Sequence, residues 1–275
     1  MLRFRVLGSG SDGNATLVEG GGARVLLDAG LGPRQLAERL LSAGVDPASL
    51  DAILISHEHG DHARGASAFA RKWGVPVAGS RGTIAAAGLV PEKLPPLAVV
   101  EPGATHAIAR LTIRVVAVPH DAARPVAFVL AASGATFAHA TDVGHLARSL
   151  VEALRGCDAL LLESNYDPAM LRDGPYPWSL KERILGPLGH LSNGDVARLV
   201  EKGLGEECRH LVLAHLSRKN NHPELALLAA EEAFARAGRR GVRLTVAGAA
   251  GTDWITVHPR STRGAGKGER QLRLF

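Results

Sequence analysis

The chain has 275 residues, of which 46% are apolar, 21% charged and 4% aromatic. That length can bury roughly three quarters of the unfolded surface, and the composition excludes general disorder. The formal net charge is +5, but the stretch from Pro259 to Phe275 carries +4 of it and leaves about +1 for the rest, so charge alone does not argue for a nucleic-acid-binding body.

No uncharged apolar run reaches the ~20 residues of a membrane helix, so no membrane partner is expected. Met1-Leu2-Arg3-Phe4-Arg5-Val6 alternates like a strand and lacks the apolar block of a signal peptide. The two cysteines, Cys157 and Cys208, form no CxxC spacing, which fits a reducing cytoplasm.

In chain order, apolar runs predict strands at Leu2–Leu7, Ala15–Glu19, Ala23–Asp28, Ala52–Ser56, Leu111–Val118, Ala127–Ala131, Thr136–Ala140, Ala159–Glu163, Leu211–Ala214 and Val242–Ala247. Amphipathic stretches predict helices at Pro33–Ala43, Arg64–Trp73, Val143–Leu154, Asn193–Lys202 and Pro223–Ala237. The proline-rich interval Asp167–Leu191 reads as loops with a short helix near Leu180–Leu185. Alternating strands and helices predict one α/β domain over residues 1–258, followed by a flexible basic tail over 259–275.

The strongest chemical signal is His57-Glu58-His59-Gly60-Asp61-His62, directly after a predicted strand. In α/β folds such strand ends open into the ligand crevice. Imidazoles mixed with a carboxylate and no thiolate suit a catalytic Zn²⁺, Mn²⁺ or Fe²⁺ site. His120, Asp142 and His215 each close another predicted strand, which brings further metal-competent groups to the same rim. Glu163 also ends a strand, where its carboxylate could reach a metal-bound His. His106, His139, His145, His210 and His258 read as structural.

These motifs resemble those of the metallo-β-lactamase superfamily: HxHxDH, a later His, an Asp and a final His. The segments Gly8–Asn14, His120-Asp121, Ala140–His145, Glu163–Asn165, Gly174–Pro177, Gly189–Asn193 and Ala214–Ser217 with Asn220-Asn221 are similar to the YycJ/WalJ group. The resemblance covers residues 2 to about 226 and implies a four-layered αββα sandwich carrying two divalent ions. One ion would take His57, His59 and His120; the other Asp61, His62 and His215, with Asp142 bridging. It also implies a cytoplasmic 5′-to-3′ DNA exonuclease in DNA repair, working by a dinuclear metal-activated hydroxide. Asp61 would orient the nucleophile. His190 and His222 are candidates to protonate the leaving oxygen, with His190 preferred. Hydroxyls and amides beside the motifs, namely Ser9, Ser11, Asn14, Asn165, Ser192, Asn193, Ser217 and Asn221, are candidate phosphate contacts. Ser192-Asn193 reads equally as a helix N-cap. The group has His where this chain has Tyr166, so a proton-transfer role there is not expected, although Tyr166 could still hydrogen-bond a phosphate.

Other substrates on the same platform are RNA, small cyclic phosphodiesters, and lactones, thioesters or lactams. The final residues Gln271-Leu272-Arg273-Leu274-Phe275 resemble the QLxLF peptide that docks on the bacterial sliding clamp. Gln271, Leu272, Leu274 and Phe275 would make that contact; the competing reading is a terminal strand folded back on the body.

Overall fold

The structure is a computed structural model, and residues 1–90, 94–259 and 272–274 are described. Two mixed sheets face each other. The first contains β1 (Leu2–Gly8), β2 (Ala15–Gly20), β3 (Ala23–Leu27), β4 (Ala52–Ile55), β5 (Val77–Gly79), β6 (Leu97–Val99) and β14 (Ile255–Val257), ordered β14-β1-β2-β3-β4-β5-β6. The second contains β7 (Thr105–Ile108), β8 (Leu111–Ala117), β9 (Val126–Ala132), β10 (Ala135–Ala140), β11 (Ala159–Glu163), β12 (His210–Ala214), β13 (Arg243–Val246) and β15 (Leu272–Arg273), ordered β13-β12-β11-β10-β9-β8-β7-β15.

Alternation decides which face each strand buries. In β1, Leu2, Phe4 and Val6 enter the core between the sheets, while Arg3 and Arg5 point away. Leu111, Ile113 and Val115 of β8 face them across that core. Phe4 stacks on Phe137 of β10 with ring centroids 3.9 Å apart, which pins one sheet to the other. Each such buried ring contributes about 1.5–3 kcal/mol by area alone.

Helices cover both outer faces. On the first sheet lie α1 (Pro33–Ser42) and α3 (Ala66–Trp73), with α2 (Gly60–Ala63) and α4 (Arg81–Ala86) between strands. On the second lie α5 (Arg148–Arg155), α8 (Asn193–Lys202) and α9 (Pro223–Arg236). Two more, α6 (Pro168–Asp173) and α7 (Trp178–Leu185), occupy the proline-rich interval. The four layers αββα agree with the expected architecture. Parallel pairing of β3 with β4, and of β10, β11 and β12, turns their C-terminal ends to one rim.

All ten expected strands are present, with ends within one residue of those read from the sequence. Strands β5, β6, β7 and β14 went unread, because three or four residues are too few for a period of two to register. The helix expected from Val143 begins only at Arg148. Gly144 explains the delay: its N–H donates to Pro119, and a Cβ there would lie 2.2 Å from the Pro187 carbonyl, so this stretch packs as a loop. The helix expected over Arg64–Trp73 begins two residues later, at Ala66, after Gly65, whose N–H turns to the Ala29 carbonyl.

Leu272 and Arg273 pair in parallel with His106 and Ala107 of β7, and Leu274 is buried in the inter-sheet core. Gln271 and Phe275 lie outside the described residues. Among the described residues no helix is long and apolar enough to cross a membrane.

Candidate metal centre

The rim of the sandwich gathers the ligand candidates from both sheets. His57, His59, Asp61 and His62 follow β4; His120 follows β8; Asp142 follows β10; Glu163 ends β11; and His215 follows β12. The ligand atoms of His57, His59 and His120 lie within 4.8 Å of one another, as do those of Asp61, His62 and His215. Asp142 groups with His57 and His62 and also with His215, so it stands between the two triads.

The backbone is bent to achieve this. Asp28, Asp142 and His215 have φ of 60°, 55° and 55°, a left-handed conformation that costs a non-glycine residue energy and tends to cluster at functional sites. Gly30 lets the Asp61 turn pack down, since a Cβ on it would lie 1.6 Å from the Asp61 carbonyl oxygen.

Hydrogen bonds fix how the imidazoles point. His62 donates from Nδ1 to Asp28 Oδ2 at 2.8 Å. His57 Nδ1 meets Ser56 Oγ at 3.0 Å, and Ser56 Oγ donates to Asp28 at 2.9 Å. His120 donates from Nδ1 to the Gly189 carbonyl at 3.0 Å, and His215 from Nδ1 to Glu163 Oε1 at 2.8 Å. All four therefore aim Nε2 at the site, the nitrogen a metal would take; there His62 Nε2 meets Asn14 Nδ2 at 3.0 Å and Asp142 Oδ2 at 2.8 Å, and His215 Nε2 meets Asp61 Oδ2 at 3.3 Å. His57 Nε2 is buried and has no hydrogen-bond partner. A cation would satisfy that nitrogen, so the residues present fit divalent metal ions.

Electrostatics favour the same outcome. Burial, reinforced by the His62 charge, pushes His57 well below its ordinary value, so it stands neutral and ready to ligate. For Asp142 burial acts upward, but the His215 and His62 charges outweigh it and hold the carboxyl well below the usual range. For His62 burial acts downward, yet Asp142 and Asp28 raise it to about 10. A cation would displace that proton on binding.

A cavity of about 210 Å³ opens over these groups. Ser11, Asn165, Ser217 and His190 line it, as do Tyr176 and Leu180 on the apolar side. His190 Nδ1 donates to Glu163 Oε1 at 2.7 Å, which leaves Nε2 for the cavity. The other candidate phosphate contacts serve the scaffold. Ser9 accepts from the His215 N–H, and Asn14 ties Gly10 to the Asp61 turn. Ser192 forms a capping box with Asp195, so its N-cap reading holds, and Asn193 and Asn221 bond each other. Tyr166 is buried against Leu171 and Ile184 with its hydroxyl at Ser192, and it does not line the cavity. His222 is exposed and pairs with Glu224. Sequence reasoning missed Asp28 and Ser56. The one available signal was Asp28 closing a strand that neighbours β4.

Comparison with known proteins adds to this geometry. Residues 23–216 match the family model described as a β-lactamase superfamily domain. The exodeoxyribonuclease WalJ of Streptococcus pneumoniae is 35% identical over 231 residues, covering 82% of this chain and 85% of that protein. The exodeoxyribonuclease YycJ of Bacillus anthracis is 33% identical over 239 residues, covering 86% and 90%. Among solved structures, the metallo-β-lactamase fold protein YhfI of Bacillus subtilis superposes with a TM-score of 0.69 at 18% identity, over 90% of this chain and 97% of that one. That last likeness shows a shared fold.

Proposed function

The chain belongs to the β-lactamase superfamily, and from that premise we propose that it is a metal-dependent phosphodiesterase that degrades DNA from 5′ ends in the bacterial cytoplasm, in DNA repair. The observation that carries this reading is the pair of exodeoxyribonucleases at 33–35% identity over more than four fifths of the chain. A complete His/Asp constellation at one rim supports it.

Two divalent cations fit this constellation. His57, His59 and His120 would hold one; Asp61, His62 and His215 would hold the other, with Asp142 between them. When bound, such ions stabilise charge on phosphoryl oxygens and acidify water. The chain's own groups do the rest. Asp61, at the cavity wall, accepts a hydrogen bond from the attacking water and sets its direction. His190, held through Nδ1 by Glu163, offers the Nε2 proton to the leaving oxygen. Ser11, Asn165 and Ser217 supply neutral donors and acceptors for the phosphate.

The test uses linear duplexes labelled separately at each 5′ and 3′ end, with Mn²⁺ or Zn²⁺ and the Asp61→Ala variant as the contamination control. Mononucleotides should leave from the 5′ end with the wild-type chain alone. An absence of DNA cleavage beside hydrolysis of a small model phosphodiester would overturn the DNA assignment in favour of RNA or small phosphodiesters.

We also propose the sliding clamp as a partner through the last five residues. Burial of Leu274 means that this docking requires the edge strand β15 to leave β7. A synthetic peptide of residues 267–275 should therefore bind the clamp more tightly than the intact chain does. A peptide silent at high micromolar concentration in a polarisation assay ends the proposal.

A further inference from the structure

The residues lining the cavity over the metal constellation are of two kinds. Beside the proposed ligands stand the neutral polar groups Ser11, Asn165 and Ser217; against them stand Tyr176, Leu180 and Ile184, from α7 and the segment that leads into it. Among the described residues lining the cavity, Tyr176 bears the one ring that is not an imidazole. It is half-buried, packs in part against the small cluster of Tyr166, Leu171 and Ile184, and is still open to the cavity. The backbone presents it in a fixed place. Pro175 and Pro177 flank it, and a residue before a proline is confined to extended backbone. The buried Lys181 of α7 donates to the Arg172 carbonyl of α6 at 2.7 Å and so closes the loop that carries Tyr176. Gly174 lets that loop pack down, since a Cβ on it would lie 2.5 Å from both Asn220 Oδ1 and the Met170 carbonyl oxygen. None of these contacts involves a proposed metal ligand; together they fix a ring that faces the cavity.

We propose that Tyr176 is a stacking platform for the base of a nucleotide flanking the scissile phosphate. The inference rests on the reading of this chain as a DNA-cleaving phosphodiesterase. A phosphate held at Ser11, Asn165 and Ser217 brings its two nucleosides with it, and a base is the flat group that a phenol ring in the same cavity can take up. Aromatic side chains bind single strands in this way because every base offers a π-face, so the contact selects an unpaired nucleotide without selecting sequence. A side chain already held between two prolines loses little freedom when the base arrives, which leaves more of the stacking energy for binding.

The test uses single-stranded, 3′-labelled oligonucleotides with an abasic site at the first or the second nucleotide from the 5′ end, or at neither, and scores the first cleavage. With the wild-type chain, an abasic site at one of the two positions should lower kcat/KM about 5–100-fold, the range of one lost base–aromatic stack. Tyr176→Ala, and Tyr176→Leu, which keeps the apolar packing, should show that loss on the intact oligonucleotide and little further loss on the abasic one. Tyr176→Phe keeps the ring and should keep the abasic penalty. Trp178→Ala is the control: Trp178 is exposed on the same helix, donates to Glu182 and does not line the cavity, so its removal should also keep the penalty. Melting temperature and metal content are measured on every variant. An abasic penalty as large in Tyr176→Leu as in wild type overturns the proposal. Loss of the penalty in Tyr176→Phe assigns the effect to the hydroxyl and overturns it as well. A wild-type chain that leaves the intact oligonucleotide uncut overturns the DNA reading itself, whereas cleavage with no abasic penalty at either position refutes the platform alone.

Discussion

Asp61→Ala should lower kcat/KM on DNA by roughly 10³-fold or more, equivalent to about 4 kcal/mol of transition-state stabilisation, while the fold survives. The side chain is 22% exposed, lies 3.3 Å from His215 Nε2 and 3.6 Å from His62 Nε2, and borders the cavity. The interaction that holds its turn in place is made by its backbone carbonyl, which accepts from the Asn14 N–H at 2.7 Å and is untouched by the substitution. Burial raises the Asp61 carboxyl, but the hydrogen bond from His215 and the His62 charge prevail and lower it, so the group is an anion throughout the working pH range. An anion there can hold a divalent ion and accept from water; a methyl can do neither. The check is steady-state kinetics on end-labelled duplex, with metal content and melting temperature measured on the same sample. Retained turnover at full metal content would sink the proposed mechanism, and an unfolded variant would show that the side chain is structural.

How much of this was legible in the sequence depends on the range of the interactions. The HxHxDH run announces itself because four ligand candidates fall within six residues after an apolar strand. His120, Asp142 and His215 could be found because each closes a readable strand, and strand ends converge by topology. Asp28 was invisible as a partner of His62 and Ser56, since a lone Asp after a strand carries no local mark of the residue it will meet 34 positions later. The hydroxyl and amide groups fared worst for a related reason. Ser9, Asn14, Ser192, Asn193 and Asn221 are polar residues near the motifs, but the left-handed turns at Asp142 and His215 leave backbone groups in the rim that must be satisfied. Much of that polar inventory is committed to holding the loops, and three of the eight candidates face the cavity. The tail was legible only as alternatives, because five residues describe a docking peptide and an edge strand equally well.

Glu163→Gln should be the most damaging single change away from the proposed ligands. The carboxylate is fully buried and collects four donors: His190 and His215 on Oε1, and the Val143 and Leu191 backbone N–H groups on Oε2. An amide of the same shape keeps one accepting oxygen and turns an NH₂ group towards the other two donors. Removing one partner from a buried charged network costs about 3–5 kcal/mol, and loosening His215 and His190 together should reduce metal affinity or turnover by a further 10–100-fold. The sign of the pH dependence follows from the carboxyl's position. Burial pushes it up, but the charge of His190 and the hydrogen bonds from both histidines hold it at about 2, against 4.5 in the unfolded chain. Its stabilisation is thus complete above about pH 4.5 and is lost as pH falls towards about 2. Urea unfolding of the metal-free proteins should show the widest gap between wild type and Glu163→Gln near neutrality, closing through that acid window. Equal stability at pH 7 would mean that the four donors find other acceptors, and Glu163 would then have no part in holding either histidine.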